Sequence, residues 1–493
     1  MTKTRRFFAI ASAISQINLA LTVIATINGI SFLLYYLYTG DYNGYRVSIK
    51  YLEACTILLV FWSSLAYGLK RHLIDNPLDA MISVALVWIT VPISTSIIYI
   101  TTLGINPLDA FFESISGFSG TGLTVFENLE SIPYVVLVWR AMTQWLGELG
   151  TVVVAGTILP FLHASLIRIY PVERGAKLVA TIRKSMIDLF VMYSAYTIFG
   201  AVLLIASGMG FLDALTHSMT AIATGGMSTK DQNIGYWFFR GNSIVLITTS
   251  IIMIIGALNF RDLYKLSTGD LKAFAKSSET KGFFAILLIL VLATLFTSTS
   301  LNVSNLTVPL VYHVVSAYTT TGFQIGDIKQ YPTVFKIILI ISMAIGGATF
   351  STAGGIKTKR VVIALKSILW DIERSVLPKG FRITKKLGEE VLGDEEIASA
   401  ITYIIIYALM QIILSLALYL SLVTVNITSY DFVDSMFEVT SALSCVGLSV
   451  GITTPTMPIA SKVTLVTAMY FGRLEFLPLY LLIGYYYRRK ALL

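Results

Sequence analysis

The stretch Tyr312-His-Val-Val-Ser-Ala-Tyr-Thr-Thr-Thr-Gly-Phe323 is half apolar, rich in hydroxyls, and ends on a glycine followed by a large apolar residue. Three further segments share its form: ESISGFSGTGL over 113–123, HSMTAIATGGM over 217–227 and EVTSALSCVGL over 438–448. Aligning Gly122, Gly226, Gly322 and Gly447 places Glu113, His217, His313 and Glu438 in one column, nine positions earlier. Four copies of a helical segment ending in a glycine turn form an internal repeat, which sets the architecture before any other feature.

The chain around these copies belongs in a membrane. Of 493 residues, 55% are hydrophobic and 13% charged, against about 25% charged in soluble domains. Several apolar stretches exceed the roughly 20 residues that cross a bilayer core. The net charge of +8 does not mark a nucleic-acid binder, because Lys and Arg fall in alternate loops, as orientation in a membrane requires. Cys55 and Cys445 sit in apolar surroundings and exclude a disulfide framework. The apolar run 7–38 follows Lys3, Arg5 and Arg6 but is too long for a signal-peptide core, so it reads as a retained first span.

Ten spans are expected, with both termini cytoplasmic. Two lead the chain, at 7–38 and 51–69, and the turn at Lys70-Arg-His72 is cytoplasmic by its charge. Each repeat then supplies a span, a short segment and a second span: 78–103, 107–123 and 134–162; 186–209, 211–227 and 241–258; 282–299, 306–323 and 334–369; 398–425, 431–448 and 459–487. The short segments are under 20 residues and end in glycine turns, so they enter and leave on one face. Asp109 is expected to cap the first of them. Basic residues at 168–184, at 261–281 and at Arg488-Arg-Lys490 put the other face inside. The polar stretch 377–396 reads as a cytoplasmic linker with room for a small hairpin. The sequons at Asn302, Asn305 and Asn426 read as chance.

The fold class is therefore an all-α integral membrane protein. Two leading transmembrane helices precede four span–re-entrant pore helix–span repeats around a pseudo-fourfold cation pore. The units are 1–72, 73–175, 176–277, 278–376 with an interrupted helix, the linker 377–396, and 397–493.

A helix that stops in mid-membrane leaves its last carbonyls unpaired, which hydrocarbon does not tolerate unless they line a cavity. Four such ends would turn partial negative charge toward one axis. Carbonyls of the following turns would replace the hydration shell of a cation. The turn residues are Gly120, Thr121 and Gly122; Thr224, Gly225 and Gly226; Thr320, Thr321 and Gly322; and Cys445, Val446 and Gly447. The threonine hydroxyls either add ligands or hold the turns. No carboxylate lies in the turns, which favours a monovalent cation over calcium. Glycines that merely let helices pack closely are the competing explanation, and four copies in register argue against it.

Three further features stand out. The second span of repeat three is broken by Gly346-Gly347 and Gly354-Gly355, with Thr349, Ser351 and Thr352 between; this is a packing kink or a gate. Arg473 lies in the last apolar span, as a pore charge or as a structural partner of Glu475 or Glu148. The Glu113, His217, His313 and Glu438 column stands about 13 Å back along the pore helices, which suits anchors better than ion ligands. Arg140 and Glu148, two turns apart, are expected to satisfy neighbouring repeats.

These motifs resemble the superfamily of potassium transporters comprising the bacterial Trk and Ktr membrane subunits and the plant and fungal Trk/HKT proteins. The likeness rests on Thr121-Gly-Leu, Gly225-Gly-Met, Thr319-Thr-Thr-Gly-Phe, Cys445-Val-Gly-Leu, Trp139-Arg-Ala-Met-Thr-Gln-Trp-Leu-Gly147 and Gly346-Gly-Ala-Thr-Phe-Ser-Thr-Ala-Gly-Gly-Ile-Lys357. The two extra leading spans are similar to the TrkH type. The resemblance implies potassium uptake across the cytoplasmic membrane by a homodimer, with a TrkA-like nucleotide-binding ring as cytosolic partner. It implies potassium as the transported ion, with no bound organic cofactor. It also implies a gate loop at 346–355, a barrier at Arg473, and potassium over sodium from Gly122. The alternatives are proton- or sodium-coupled symport and a less selective K+/Na+ pathway. No HExxH, GxSxG or paired aspartates mark an intramembrane enzyme.

Overall fold

The computed structural model describes residues 3–74, 76–150, 182–301, 303, 306–378, 383–477, 480, 481 and 484. Two leading helices, α1 (Lys3–Thr39) and α2 (Tyr42–Leu69), form an antiparallel hairpin against repeat one. Polar side chains fix this docking: Asn18 Nδ2 donates to Thr90 Oγ1, Trp62 Nε1 to Ser94 Oγ, and Asn28 Nδ2 to the Val135 carbonyl.

Repeat one consists of α3 (Pro77–Leu103), the pore helix α4 (Pro107–Phe118) and α5 (Tyr134–Leu149). Repeat two consists of α6 (Ile182–Ala206), the pore helix α7 (Phe211–Ile222), α8 (Ile244–Ala257) and α9 (Phe260–Ser267). Repeat three follows with α10 (Ser278–Ser300), the pore helix α11 (Thr307–Tyr318), α12 (Thr333–Ile345) and α13 (Thr358–Val376). Repeat four has α14 (Asp394–Val423), the pore helix α15 (Phe432–Leu443) and α16 (Ile459–Arg473).

Each pore helix is 12 residues long, about 18 Å at 1.5 Å per residue, well short of a bilayer core of about 30 Å. The first cap differs from the expectation at Asp109. Asn106 caps α4 by accepting from Leu108 N, and Pro107 opens the helix where its missing N–H costs nothing.

Six described helices are long and apolar enough to span a membrane: the two leading helices and the first span of each repeat. The second spans all fall short. The expected span 134–162 ends as a helix at Leu149, and the rest of it lies outside the described residues. Ile244–Ala257 bends through 110° into Phe260–Ser267. The helix over 334–369 stops at Ile345 and resumes at Thr358, and the last span stops at Arg473. The sequence pointed to an interruption in repeat three alone; the described residues also show one in repeats two and four, and the helix of repeat one ends at Leu149. The reason is a close approach at the C-terminal end of the pore helix. A Cβ on Gly147, Gly256 or Gly472 would overlap the carbonyl oxygen of Phe118, Ile222 or Leu443, the last residue of that repeat's own pore helix.

The repeats close on themselves. Each pore helix packs on the first span of its own repeat and on the second helix of the repeat before it: α5 on α7, α8 on α11, α12 on α15 and α16 on α4. On the opposite face from the pore-helix N-termini, Lys386–Leu387 and Glu390–Val391 form a two-stranded antiparallel hairpin. Its Leu387 is buried with Ile363, Leu392, Ile397 and Ala400. The basic stretch 168–181 and the terminal Arg488-Arg-Lys490 lie outside the described residues.

Candidate ion pore

All four pore helices end in the same turn. Gly120, Thr224, Thr320 and Cys445 take left-handed conformations, with φ of 72°, 47°, 54° and 54°. Their N–H groups donate to Gly117, Ala221, Ala317 and Ala442. The next residues, Thr121, Gly225, Thr321 and Val446, donate to the carbonyls of Ser116, Thr220, Ser316 and Ser441 at 2.8–3.0 Å. These paired bonds are those of a Schellman cap. They consume the N–H groups of these two residues; among the described residues the turn carbonyls accept no hydrogen bond except Gly225 O, from Gln144, and Gly226 O, from Asn233. Three of the four left-handed positions carry a side chain, a conformation that costs about 1–2 kcal/mol each, so the turn geometry is held by its surroundings.

The register glycines come next, with φ of 81° at Gly122, 70° at Gly226, 86° at Gly322 and 100° at Gly447. A Cβ on Gly122 would overlap the Gly225 carbonyl oxygen; on Gly226, that of Thr321; on Gly322, that of Val446; and on Gly447, that of Thr121. Each glycine thus lies against the carbonyl that precedes the register glycine of the next repeat, and the fourth returns to the first. The hydroxyls of the turns bond locally or to the loop beneath: Thr121 pairs with Ser119 at 2.8 Å, Thr321 with Thr319 at 2.9 Å, Thr224 donates to Ala223 O, and Thr320 accepts from Gly354 N; Thr121 also reaches the Cys445 thiol of repeat four.

The column nine residues back anchors the segments that climb away from these turns. Glu113 accepts from Thr124 Oγ1 at 2.9 Å and Val125 N at 3.1 Å. Glu438 accepts from Ser449 Oγ at 2.8 Å and Val450 N at 3.1 Å. His217 Nε2 meets Ser228 Oγ at 2.9 Å, and His313 Nε2 accepts from Ile325 N at 2.9 Å. In every repeat the partner lies 11 or 12 residues on. Arg140 differs from the expectation: its closest partner is Glu113 of its own repeat, at 2.6 Å, and it reaches repeat two only through the Ser228 carbonyl.

Charges that sequence reading left unpaired join the repeats at the outer ends of the pore helices. Lys336 Nζ meets Asp434 at 2.6 Å, Lys462 pairs with Asp109, and Tyr134 donates to Asp213 at 3.1 Å. Each donor comes from the repeat before. The signal was present in the sequence, since Asp109, Asp213 and Asp434 all stand four residues before the column. Gln144 was also missed. Its amide donates to Gly225 O at 2.5 Å and accepts from Met227 N at 3.0 Å, clamping the second turn from repeat one.

The non-helical stretch 346–357 lies directly under the ring. Thr352 Oγ1 donates to the carbonyls of Ile222 and Gly256 at 2.9 and 2.8 Å, Gly354 N donates to Thr320 Oγ1 at 2.8 Å, and a Cβ on Gly354 would overlap the Ser444 carbonyl. Gly346 and Gly355 have φ of 70° and 75° and lie against each other. Thr349 is bound by Glu279, and Ser351 Oγ donates to Ala348 O. This loop therefore touches the pore-helix ends of repeats two, three and four.

Below it opens a cavity of about 490 Å³, lined by the loop and by Cys445, Lys357, Arg360, Arg473 and Trp88. Arg473 Nη1 meets Glu148 Oε2 at 2.5 Å, Nη2 donates to Gly147 O at 2.7 Å, and its guanidinium stands 4.7 Å from the Trp88 ring centre. Of the two partners open from sequence, Glu148 is the one in contact; Glu475 pairs with Arg360 at 2.5 Å. Lys357, with φ of 81°, donates its ammonium to the Ala353 carbonyl within the loop.

Residues 52–485 match the family described as TrkH, cation transport protein. The chain is 30% identical over 436 residues to an uncharacterized cation transporter of Methanocaldococcus jannaschii, covering 87% of each. It is 31% identical over 381 residues to the Trk system potassium uptake protein TrkH of Escherichia coli K12, covering 74% of this chain and 76% of that one. The crystal structure of the potassium transporter TrkH from Vibrio parahaemolyticus superposes with a TM-score of 0.79 at 25% identity, over 95% of this chain and 98% of that one. The chain belongs to the TrkH family of cation transport proteins.

Proposed function

We propose that this protein carries potassium into the cell through the ring formed by 120–122, 224–226, 320–322 and 445–447. The observation that carries the reading is the closed cycle of glycine-to-carbonyl approaches from Gly122 through Gly225, Thr321 and Val446 back to Thr121. With most N–H groups of the turns spent, the groups that take no partner among the described residues are mainly carbonyl oxygens, which suit a dehydrated monovalent cation. The described potassium uptake relatives favour potassium. The loop 346–355 is the gate, because it is tied to the pore-helix ends beneath the ring. Arg473 is an electrostatic barrier in the inner cavity.

The remaining expectations belong to the same proposal. The six units keep the boundaries given above. Basic inner ends put both termini in the cytoplasm. The working unit is a homodimer in the bilayer, regulated by a TrkA-like nucleotide-binding ring. Proton coupling is the weaker reading, because His217 and His313 are occupied as anchors.

Equilibrium binding of labelled potassium to the purified protein, competed with sodium and caesium, tests the ion assignment. Potassium displaced as readily by sodium as by itself would overturn it. Reversal potentials across a pH gradient test coupling, and the expected potentials follow the potassium gradient alone.

A further inference from the structure

One strong contact on the gate loop comes from outside the ring. Glu279, in the first turn of α10, accepts from Thr349 N at 2.5 Å and from Thr349 Oγ1 at 2.6 and 2.8 Å. The same carboxylate accepts from Asn259 Nδ2, at the break between α8 and α9, at 2.8 Å. The contacts from Thr352 and Gly354 are between neutral groups, and another charged donor to the loop is the Lys357 ammonium, on the Ala353 carbonyl. Hydrogen bonds to a carboxylate are about twice as strong as neutral ones, and Glu279 takes three of them from Thr349 alone.

Its helical turn is itself held from the cytoplasmic face. Ser277 and Thr280 both donate to Asp262 of α9, at 2.5 and 2.9 Å. Gly388, at the tip of the hairpin, has φ of 64° and presses on Ser278 so closely that a Cβ would overlap the Ser278 hydroxyl. The hairpin also grips the helix that leaves the gate loop. Lys359 Nζ meets Glu390 of the hairpin at 3.0 Å, besides Glu396 of α14 at 3.1 Å, and Lys366 Nζ donates to Lys386 O at 3.2 Å. The hairpin therefore reaches both ends of the loop: the near end through Ser278, Glu279 and Thr349, the far end through Lys359 on α13.

We propose that Glu279 is the latch that holds the gate loop under the ring, and that the hairpin 386–391 is the handle by which the cytoplasmic face releases it. This rests on the gate reading of 346–355 given above. Glu279 acts through Thr349 and touches no ion in the closed state, so it is a positioning residue. A shift of the hairpin tip tilts the first turn of α10 and breaks the bonds to Thr349, while the ring above is untouched.

Single-channel recording of the full-length protein in planar bilayers tests this. Glu279→Ala and Thr349→Val each raise open probability. For Glu279→Ala the closed-to-open ratio falls about tenfold, the scale of a hydrogen bond to a charged group. Unit conductance and the potassium-to-sodium permeability ratio stay at wild-type values, which a general loosening of the pore would not allow. Gly388→Val, which displaces Ser278, also raises open probability and adds nothing in the Glu279→Ala background. Unchanged or lowered open probability in Glu279→Ala and Thr349→Val overturns the latch, as does a changed unit conductance. Should Glu279→Ala not fold, Thr349→Val and Gly388→Val decide the matter alone. Deletion of 349–353 separates the two readings. If the deletion raises flux and the latch variants do not, the gate stands and the latch fails; if the deletion leaves flux unchanged, the gate fails and the latch with it.

Discussion

Arg473 and Glu148 meet at 2.5 Å across the seam where the fourth repeat closes on the first. Glu148 also lies behind the first turn, so close that a Cβ on Gly120 would overlap its carboxylate. One ion pair thus joins the ends of the ring and partly neutralises the cation beneath it.

Removing either charge alone has opposite effects on transport. Arg473→Ala removes the barrier and raises rubidium flux in proteoliposomes. Glu148→Ala leaves Arg473 without this counter-charge and lowers flux, and also destabilises the fold, though Arg473 keeps the Gly147 carbonyl and the Trp88 ring. Unaltered conductance in Arg473→Ala would assign the arginine to structure alone.

Deletion of 349–353 removes the part of the loop held by Thr349 and Thr352 and raises flux at every potential. Rubidium uptake by the deleted protein at the wild-type rate would leave 346–355 as a packing kink.

The register glycines tolerate no side chain. Gly322→Ala adds both a left-handed penalty of about 1–2 kcal/mol and an overlap with the Val446 carbonyl. Potassium binding by the purified variant is lost, and Gly122→Ala behaves alike against the Gly225 carbonyl. Calorimetric titration with potassium reads both.

The left-handed position two residues earlier responds differently. Cys445→Gly relieves a strained φ of 54° and stabilises the protein by about 1 kcal/mol, read as a higher unfolding temperature with flux retained. Thr320→Gly relieves the same strain but loses the hydroxyl that accepts from Gly354 N, so its flux rises.

Between repeats three and four, Lys336→Met leaves Asp434 buried without its cation and costs about 3–5 kcal/mol. Lys336→Met combined with Asp434→Ala recovers most of that loss, as unfolding in a denaturant series measures.

Much of the pore was legible because it repeats. Four glycines in register located the pore-helix ends, and the column at Glu113, His217, His313 and Glu438 was recognisable as scaffold from its distance alone. The cap at Asp109 was misplaced because Asn106 stands three residues earlier, with Pro107 behind it. The breaks in repeats two and four were hidden because a single glycine in an apolar run gives no sign of the carbonyl it must approach. Glu279 gave no signal either, since it lies 70 residues from Thr349 in sequence.

The sequence by itself determined the membrane class, the repeat count and the residues at each turn, because these follow from local periodicity, glycine placement and the distribution of charge. Only the tertiary structure decided which groups meet: Gly447 against Thr121, Arg473 with Glu148, Lys462 with Asp109 and Glu279 with Thr349. The physical reason is closure. A ring of four repeats joins residues more than 300 positions apart, and chain order carries no record of which surfaces touch once the last helix packs on the first pore helix.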